Sequence, residues 1–275
     1  MTKASSRPVW TGAISFGLVT IPVRLFTAVR EKDLHFRSLH DQDHMPLKQK
    51  MVCSADGKEV HREHIVKGYE IQKDQFVVVR QSELEAVAPK ATKAIEIQDF
   101  VDLDAIDPRF FDKSYYVAPQ PQGAKPYRLL LEAMANTKKV GIAKVVMHNK
   151  EYLTALRPID DVLCLETMHF ADEVVDAGSV PAGPESGTKV DDRELKVAKQ
   201  LIESLSTEFE PQRYHDEYRL RVLELIEQKA KGQKVSHKPL KLAKTTKGGD
   251  LIAALEASLA QRKSKAEAPR RRKSA

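Results

Sequence analysis

Cysteine is scarce in this 275-residue chain, with Cys53 and Cys164 the only two. Two thiols cannot build a disulfide framework, and so few beside a sizeable apolar fraction suit a reducing compartment. Aromatic residues make up only 6% of the chain, so the interleaving of rings with basic residues that marks single-strand binders is missing. Long apolar runs are missing too. The stretch 12–23 is interrupted by Ser15, Thr20 and Pro22 and leads to no small-residue cleavage site. It therefore reads as a strand rather than a leader, and neither export nor a membrane partner is expected. The phosphate loop GxxxxGK[ST], the dinucleotide turn GxGxxG and the nucleophile turn GxSxG are all absent. The expectation is a protein without cofactor and without enzymatic activity. Helix-turn-helix, zinc-finger and basic-zipper signatures are missing as well, which leaves base-specific reading of a duplex unsupported.

Two weaker constellations remain. Asp102 and Asp104, with Asp99 and Asp107 nearby, have the residue type of a two-metal nuclease, which needs carboxylates converging on a pair of ions. They fall where a strand runs into an Asp-Pro turn, however, and Asp favours turns through local backbone hydrogen bonds. Cys53, His61 and His64 offer three zinc ligands, but Cys53 is followed by Ser54, Ala55 and Asp56, so the first half of a zinc clip is incomplete and no metal is expected. Cys164, between Leu163 and Leu165, reads as a small buried hydrophobe.

Charge is abundant and unevenly placed. From Lys229 to Ala275 there are fourteen Lys and Arg against three acids, a net of +11, whereas the preceding residues carry 31 basic against 36 acidic groups, a net of −5. Such a tail has too little apolar surface to offset ordering entropy and binds polyanions by counterion release. Nucleic acid is the partner that this pattern points to, and Lys234, Lys238, Lys241, Lys244, Lys247, Arg270, Arg271 and Arg272 are the tail's candidate contacts.

The body reads as mainly β with α. Strand-like runs are expected from Gly12 to Val29, Ile65 to Ile71, Phe76 to Arg80, Ile95 to Val101, Ser114 to Ala118, Val140 to Met147, Tyr152 to Leu156 and Val162 to Met168, separated by Gly, Pro and Asp breakers. So many short strands suggest a closed or nearly closed barrel. One helix interrupts them, opened by Pro126 and carrying Leu129, Leu130, Ala133 and Met134. A Gly- and Pro-rich connection over 178–187 leads to two amphipathic helices, one striped by Leu195, Ala198, Leu201, Ile202, Leu205 and Phe209, the other by Tyr218, Val222, Leu225 and Ile226. A third helix is expected from Asp250 through Leu259, and no internal repeat is evident.

The motifs together resemble the bacterial Ku family. The likeness is carried by RPVWTGAISFGLVTIPV from Arg7 to Val23, FRSLHD from Phe36, IVKGYE from Ile65, IDPRFF from Ile106, YYVAP from Tyr115, GIAKVV from Gly141 and EYLTALRP from Glu151. It ends in the helical pattern of Phe209, Pro211, Tyr214, Asp216 and Tyr218 and covers about Arg7 to Gly232. The resemblance implies a Ku-type β-barrel core with an arching insertion (1–190), a C-terminal helical region for partner docking (191–232) and a basic, largely disordered tail (233–275).

It further implies a homodimer that threads as a ring onto double-stranded DNA ends, protects them and recruits an ATP-dependent multidomain DNA ligase for non-homologous end joining, in the cytoplasm at the bacterial nucleoid. Within that frame Arg30, Arg37, Lys48, Lys50, Arg62, Lys125, Lys144 and Lys150 are the candidate phosphate contacts of the barrel and arch. Lys48, Lys50 and Arg62, around the Asp56-Gly57 turn, mark the arch itself. Leu201, Leu205, Tyr214 and Tyr218 are the candidate partner-docking residues. The competing reading is a nucleoid-associated or regulatory DNA-binding protein with no preference for ends.

Overall fold

The computed structural model describes residues 7–88, 92–181, 183, 190–233 and 253–260, which divide into two compact units at Val180 and Pro181. The first unit is built on a closed seven-stranded barrel in the order β1-β2-β6-β9-β8-β7-β5. Its strands are β1 (Trp10–Phe16), β2 (Val19–Thr27), β5 (Ala94–Asp102), β6 (Phe111–Pro119), β7 (Lys139–Met147), β8 (Lys150–Ile159) and β9 (Val162–Met168). Neighbours are antiparallel except β1 and β5, whose parallel pairing of Ile14 with Ile95 closes the cylinder.

The single strand expected over 12–23 is a hairpin. Gly17 takes φ +57° and lets the chain reverse at Gly17 and Leu18, pairing Phe16 with Val19. Alternation then sorts the side chains: Ile21, Val23 and Leu25 of β2, Ala143 and Val145 of β7, and Leu163 and Leu165 of β9 all point into one core. Each large member contributes roughly 1.5–3 kcal/mol by leaving water. Gly12 is required in β1 because a β-carbon there would collide with the Trp10 ring and the Lys93 carbonyl.

Strand direction gives the barrel two unlike ends. At one end β6 leads through α2 (Ala124–Thr137) into β7, and Tyr127, Leu130 and Met134 lie on the face that seals the core. Pro126 is the third residue of this helix rather than its first. A second apolar cluster, of Val140, Ala155 and Met168 against Ile106, Phe110, Phe111 and Leu153, covers part of the outer wall.

From the opposite end, where β2 stops and β5 begins, an excursion of residues 28–93 departs and returns. It holds β3 (Lys67–Gln72), β4 (Gln75–Val79) and a short helix α1 (Gln81–Val87). The runs expected as barrel strands over 65–71 and 76–80 are therefore not in the barrel; they pair only with each other. Earlier in the excursion one knuckle occurs twice, thirteen residues apart. Leu47 N–H donates to Ser38 O, His40 N–H to Met45 O and His44 N–H to His40 O, matched by Val60 to Met51, Cys53 to Lys58 and Gly57 to Cys53. Asp43 and Asp56 each accept the backbone N–H two residues on, and His44 and Gly57 each take positive φ. This repeat lies in the backbone, and no matching residue run announces it.

The second unit contains α3 (Asp192–Leu205), α4 (Glu217–Ala230) and a helical stretch α5 over 253–260. Asp191 caps α3 in a reciprocal arrangement with Glu194, Asp216 caps α4, and Arg193 reaches Glu256 at 3.3 Å. Phe209 and Tyr214 stack in the connection, 5.8 Å between centroids. Among the described residues no helix is long and apolar enough to cross a membrane.

Candidate nucleic-acid interface

The barrel end from which the excursion departs gathers several of the expected basic residues. Arg30 lies just past β2, Lys144 near the end of β7 and Lys150 at the start of β8. Strand reversal brings these distant positions together, since the end of β7 and the start of β8 meet in one hairpin and Thr27 pairs with Tyr115. Lys144 is held by Glu151 at 3.1 Å, while the Lys150 ammonium lies 5.2 Å from the Tyr152 ring centre. Arg30 lines a cavity of about 600 Å³ with Lys113, Tyr115, His148 and Tyr152. Burial pushes the Tyr115 hydroxyl above its ordinary pKa.

On the excursion, Arg37, Lys48, Lys50 and Arg62 are all exposed. Lys48 and Lys50 lie between the two knuckles, Lys50 is bound to Glu59 at 2.6 Å, and Arg62 begins a single helical turn. Lys125 is placed differently. It is exposed in the first turn of α2, at the far end of the barrel, and does not share a surface with Arg30 and Lys150. The tail candidates Lys234, Lys238, Lys241, Lys244, Lys247, Arg270, Arg271 and Arg272 lie outside the described residues, as does the Asp250 cap.

Of the docking candidates, Leu201 is half-buried, Leu205 and Tyr218 are exposed, and Tyr214 is the residue stacked on Phe209. Two of the four carboxylates that have the residue type of a nuclease are held in local ion pairs. Asp102 takes Lys139 at 2.8 Å, and Asp107 takes Arg109 at 3.1 Å while accepting that residue's backbone N–H. The Arg109 contacts hold the Asp107 carboxyl below its ordinary range. Among the described residues no three His, Cys, Asp or Glu side chains form a group able to hold a metal ion.

Some residues at the basic barrel end escape sequence reasoning. Lys113 and His148 lie in no motif, and Tyr115 and Tyr152 fall within YYVAP and EYLTALRP but read only as strand residues. On the outer wall, Arg157 forms two contacts with the nearly buried Glu166, at 2.8 and 3.1 Å, and the Arg24 Nε is buried with no hydrogen-bond partner among the described residues.

Comparison with known proteins matches residues 15–197 to the family model described as the Ku70/Ku80 beta-barrel domain. A protein of Anaeromyxobacter sp. (strain K), named non-homologous end joining protein Ku, is 47% identical over 97% of this chain and 90% of its own. Proteins of the same name from Koribacter versatilis and Bacillus subtilis are 43% and 40% identical, over 93% and 91% of this chain and 86% and 81% of theirs. Among solved structures, the SPOC domain of human PHD-finger protein 3 aligns at 10% identity with a TM-score of 0.30, over 59% of this chain and 95% of that one, a likeness too weak to argue from. A family match across more than half the chain, together with relatives of at least 40% identity along nearly all of it, shows that this chain belongs to the Ku family.

Proposed function

We propose that the chain is a homodimeric, sequence-independent binder of double-stranded DNA ends that serves non-homologous end joining, the process named for its relatives. The observation that carries this reading is the excursion 28–93. Fifteen of its large apolar side chains, among them Phe36 at 71%, Tyr69 at 70% and Phe76 at 60% exposure, stand in solvent, and none joins either apolar cluster. An isolated two-stranded ribbon such as β3 and β4 is marginal in water without a further apolar partner. A second copy supplies that partner, and two excursions closing over two barrels make a ring.

Ring closure accounts for the chemistry the sequence lacks. Lys and Arg facing a bore contact phosphates that are uniform along a duplex, so no base-reading motif is needed. A closed ring enters only where the helix stops, so end preference follows from topology, and loading needs no nucleotide. Arg30, Lys144 and Lys150 at the barrel end and Arg37, Lys48, Lys50 and Arg62 on the excursion are the bore candidates. The tail adds sequence-independent affinity. The ligase docks on the helical unit through Leu201, Leu205, Tyr214 and Tyr218, and the role of the protein is to hold and recruit rather than to catalyse.

The test is titration of the full chain against one duplex, prepared as a linear fragment and as a covalently closed circle at matched salt, with the solution mass measured alongside. Binding to the linear form alone by a species of twice the chain mass is expected. Equal binding to both forms overturns the reading in favour of a DNA-binding protein that needs no end, a role for which the +11 tail suffices.

A further inference from the structure

The excursion has a charge balance unlike that of the tail. Between the end of β2 at Thr27 and the start of β3 at Lys67 there are seven Lys and Arg and seven Asp and Glu, which leaves no net charge. All fourteen are exposed, so burial removes neither sign from the balance. Two of the cations are also neutralised locally, Lys50 by Glu59 at 2.6 Å and Lys58 by Asp56 at 3.1 Å. Such a segment gains little electrostatic energy by closing over a polyanion, because carboxylates enter the same field as the cations that contact phosphates.

The same stretch, 28–66, holds five of the nine histidines of the chain, and they are the only groups there whose charge ordinarily changes between pH 5 and 8. His40 is half-buried beside two carboxylates, Asp43 at 3.0 Å and Asp41 at 3.8 Å, and His64 lies 3.7 Å from Glu63. His35, His44 and His61 are exposed, and none has a carboxylate within 4 Å among the described residues. Each is close along the chain to a cation proposed for the bore: His35 to Arg37, His44 to Lys48 and His61 to Arg62. His61 belongs to no group able to hold a metal ion among the described residues, so no metal competes there with a proton.

We infer that His35, His44 and His61 are proton-dependent phosphate contacts, so that the excursion takes up protons as it closes over DNA and grips more tightly as pH falls. The inference rests on the end-binding reading above and adds to it a regulation of the same site. The physical basis is general: a phosphate facing an imidazole favours its charged form, and linkage then ties binding to proton uptake. The added affinity is full where the histidines are charged and is lost as pH rises through their titration on DNA. The tail behaves differently, since its Lys and Arg keep their charge across this range. One electrostatic element of the protein is thus constant and the other variable.

The experiment titrates the full chain against a linear duplex and a covalently closed circle of the same sequence, at pH 6 and pH 8 over a series of salt concentrations. Affinity for the linear form should be about tenfold higher at pH 6, the scale of three exposed ion pairs. The fall of log affinity with log salt should be steeper at pH 6 by about 0.9 for each histidine that meets a phosphate, a change that a purely structural effect of pH would not produce. The variant carries His35→Gln, His44→Asn and His61→Gln, with Asn at 44 because the backbone there takes φ +56°. It should bind as the wild type does at pH 8 and lose both the gain in affinity and the steeper slope at pH 6. Equal affinity and slope at the two pH values in the wild type, or an undiminished gain in the variant, overturns the inference and leaves end binding intact. Indifference to linear and closed-circular duplex at both pH values overturns the end-binding reading and this inference with it.

Discussion

The hydroxyl of Tyr127 bridges the two strands it helps to close, donating to the Val117 carbonyl at 2.6 Å and accepting the Leu163 N–H at 2.8 Å. Val117 of β6 and Leu163 of β9 are register partners, so one side chain of α2 ties the helix to both strands at the sealed end of the barrel. The ring is almost fully buried, and burial raises the phenol pKa, keeping the donor protonated.

Tyr127→Phe should therefore cost far more than a surface hydroxyl. It strands a buried carbonyl and a buried N–H, each worth about 1–3 kcal/mol when unsatisfied, and a loss of roughly 2–4 kcal/mol is expected. Urea unfolding of the full chain checks this, with a lowered midpoint and an unchanged slope as the expected result.

Arg157 of β8 reaches diagonally to Glu166 of β9, whose register partner is Ala155, and Glu166 is only 8% exposed. Glu166→Ala leaves the guanidinium beside the sheet without its partner, and a loss of about 2 kcal/mol is expected, between the values for surface and fully buried pairs. The double variant Arg157→Met with Glu166→Leu should recover much of it. A double variant as unstable as the single one would show that the pair does more than cancel its own charges.

The second knuckle has an acid limit. Asp56 has a pKa lowered from its ordinary 3.8, first by the Lys58 backbone N–H and then by the Lys58 ammonium at 3.1 Å. A carboxyl with a depressed folded pKa contributes above its unfolded value and is lost as pH falls through the folded one. Lys58 amide protection should thus be full at pH 5 and lost only below 3.8, and Asp56→Ala should remove it at every pH. Hydrogen exchange at that amide is the measurement.

The two thiols should differ in reactivity. Cys164 is buried in β9, and burial pushes its pKa up to about 11, leaving almost no thiolate near neutrality. Iodoacetamide should modify the half-buried Cys53 in the folded protein and Cys164 only after unfolding, as peptide mass mapping would reveal.

Tail deletion addresses the charge partition. Removing Lys234 to Ala275 takes away twelve Lys and Arg, and the fall of log affinity with log salt, about −0.9 per phosphate neutralised, should become shallower. The number of chains in the binding species should not change. An unaltered slope removes the tail from the interface.

Much of the barrel is legible in the sequence, because alternation such as Ile21, Val23, Leu25 records a two-sided environment directly. The same pattern misleads over 65–80. Tyr69, Ile71, Phe76 and Val78 look as strand-like as any barrel residue, and pattern states only that a strand has a face, not what covers it. The knuckle repeat is invisible for a related reason. Its two copies share Asp43 with Asp56 and little else, the likeness residing in hydrogen bonds and positive φ. The cavity is illegible too, since Arg30, Lys113 and the hairpin that carries His148 and Tyr152 are three separate chain segments.

Family membership, the partition of charge between body and tail, and the absence of phosphate-loop and base-reading motifs were determined by the sequence alone, because each is a property of local residue order or of a sum along the chain. Which basic residues belong together was decided only by the tertiary structure. In a barrel, residues a few positions apart on one strand diverge toward opposite ends, while the ends of distant strands converge, and for that reason Arg30 and Lys150 share an end from which Lys125 is excluded.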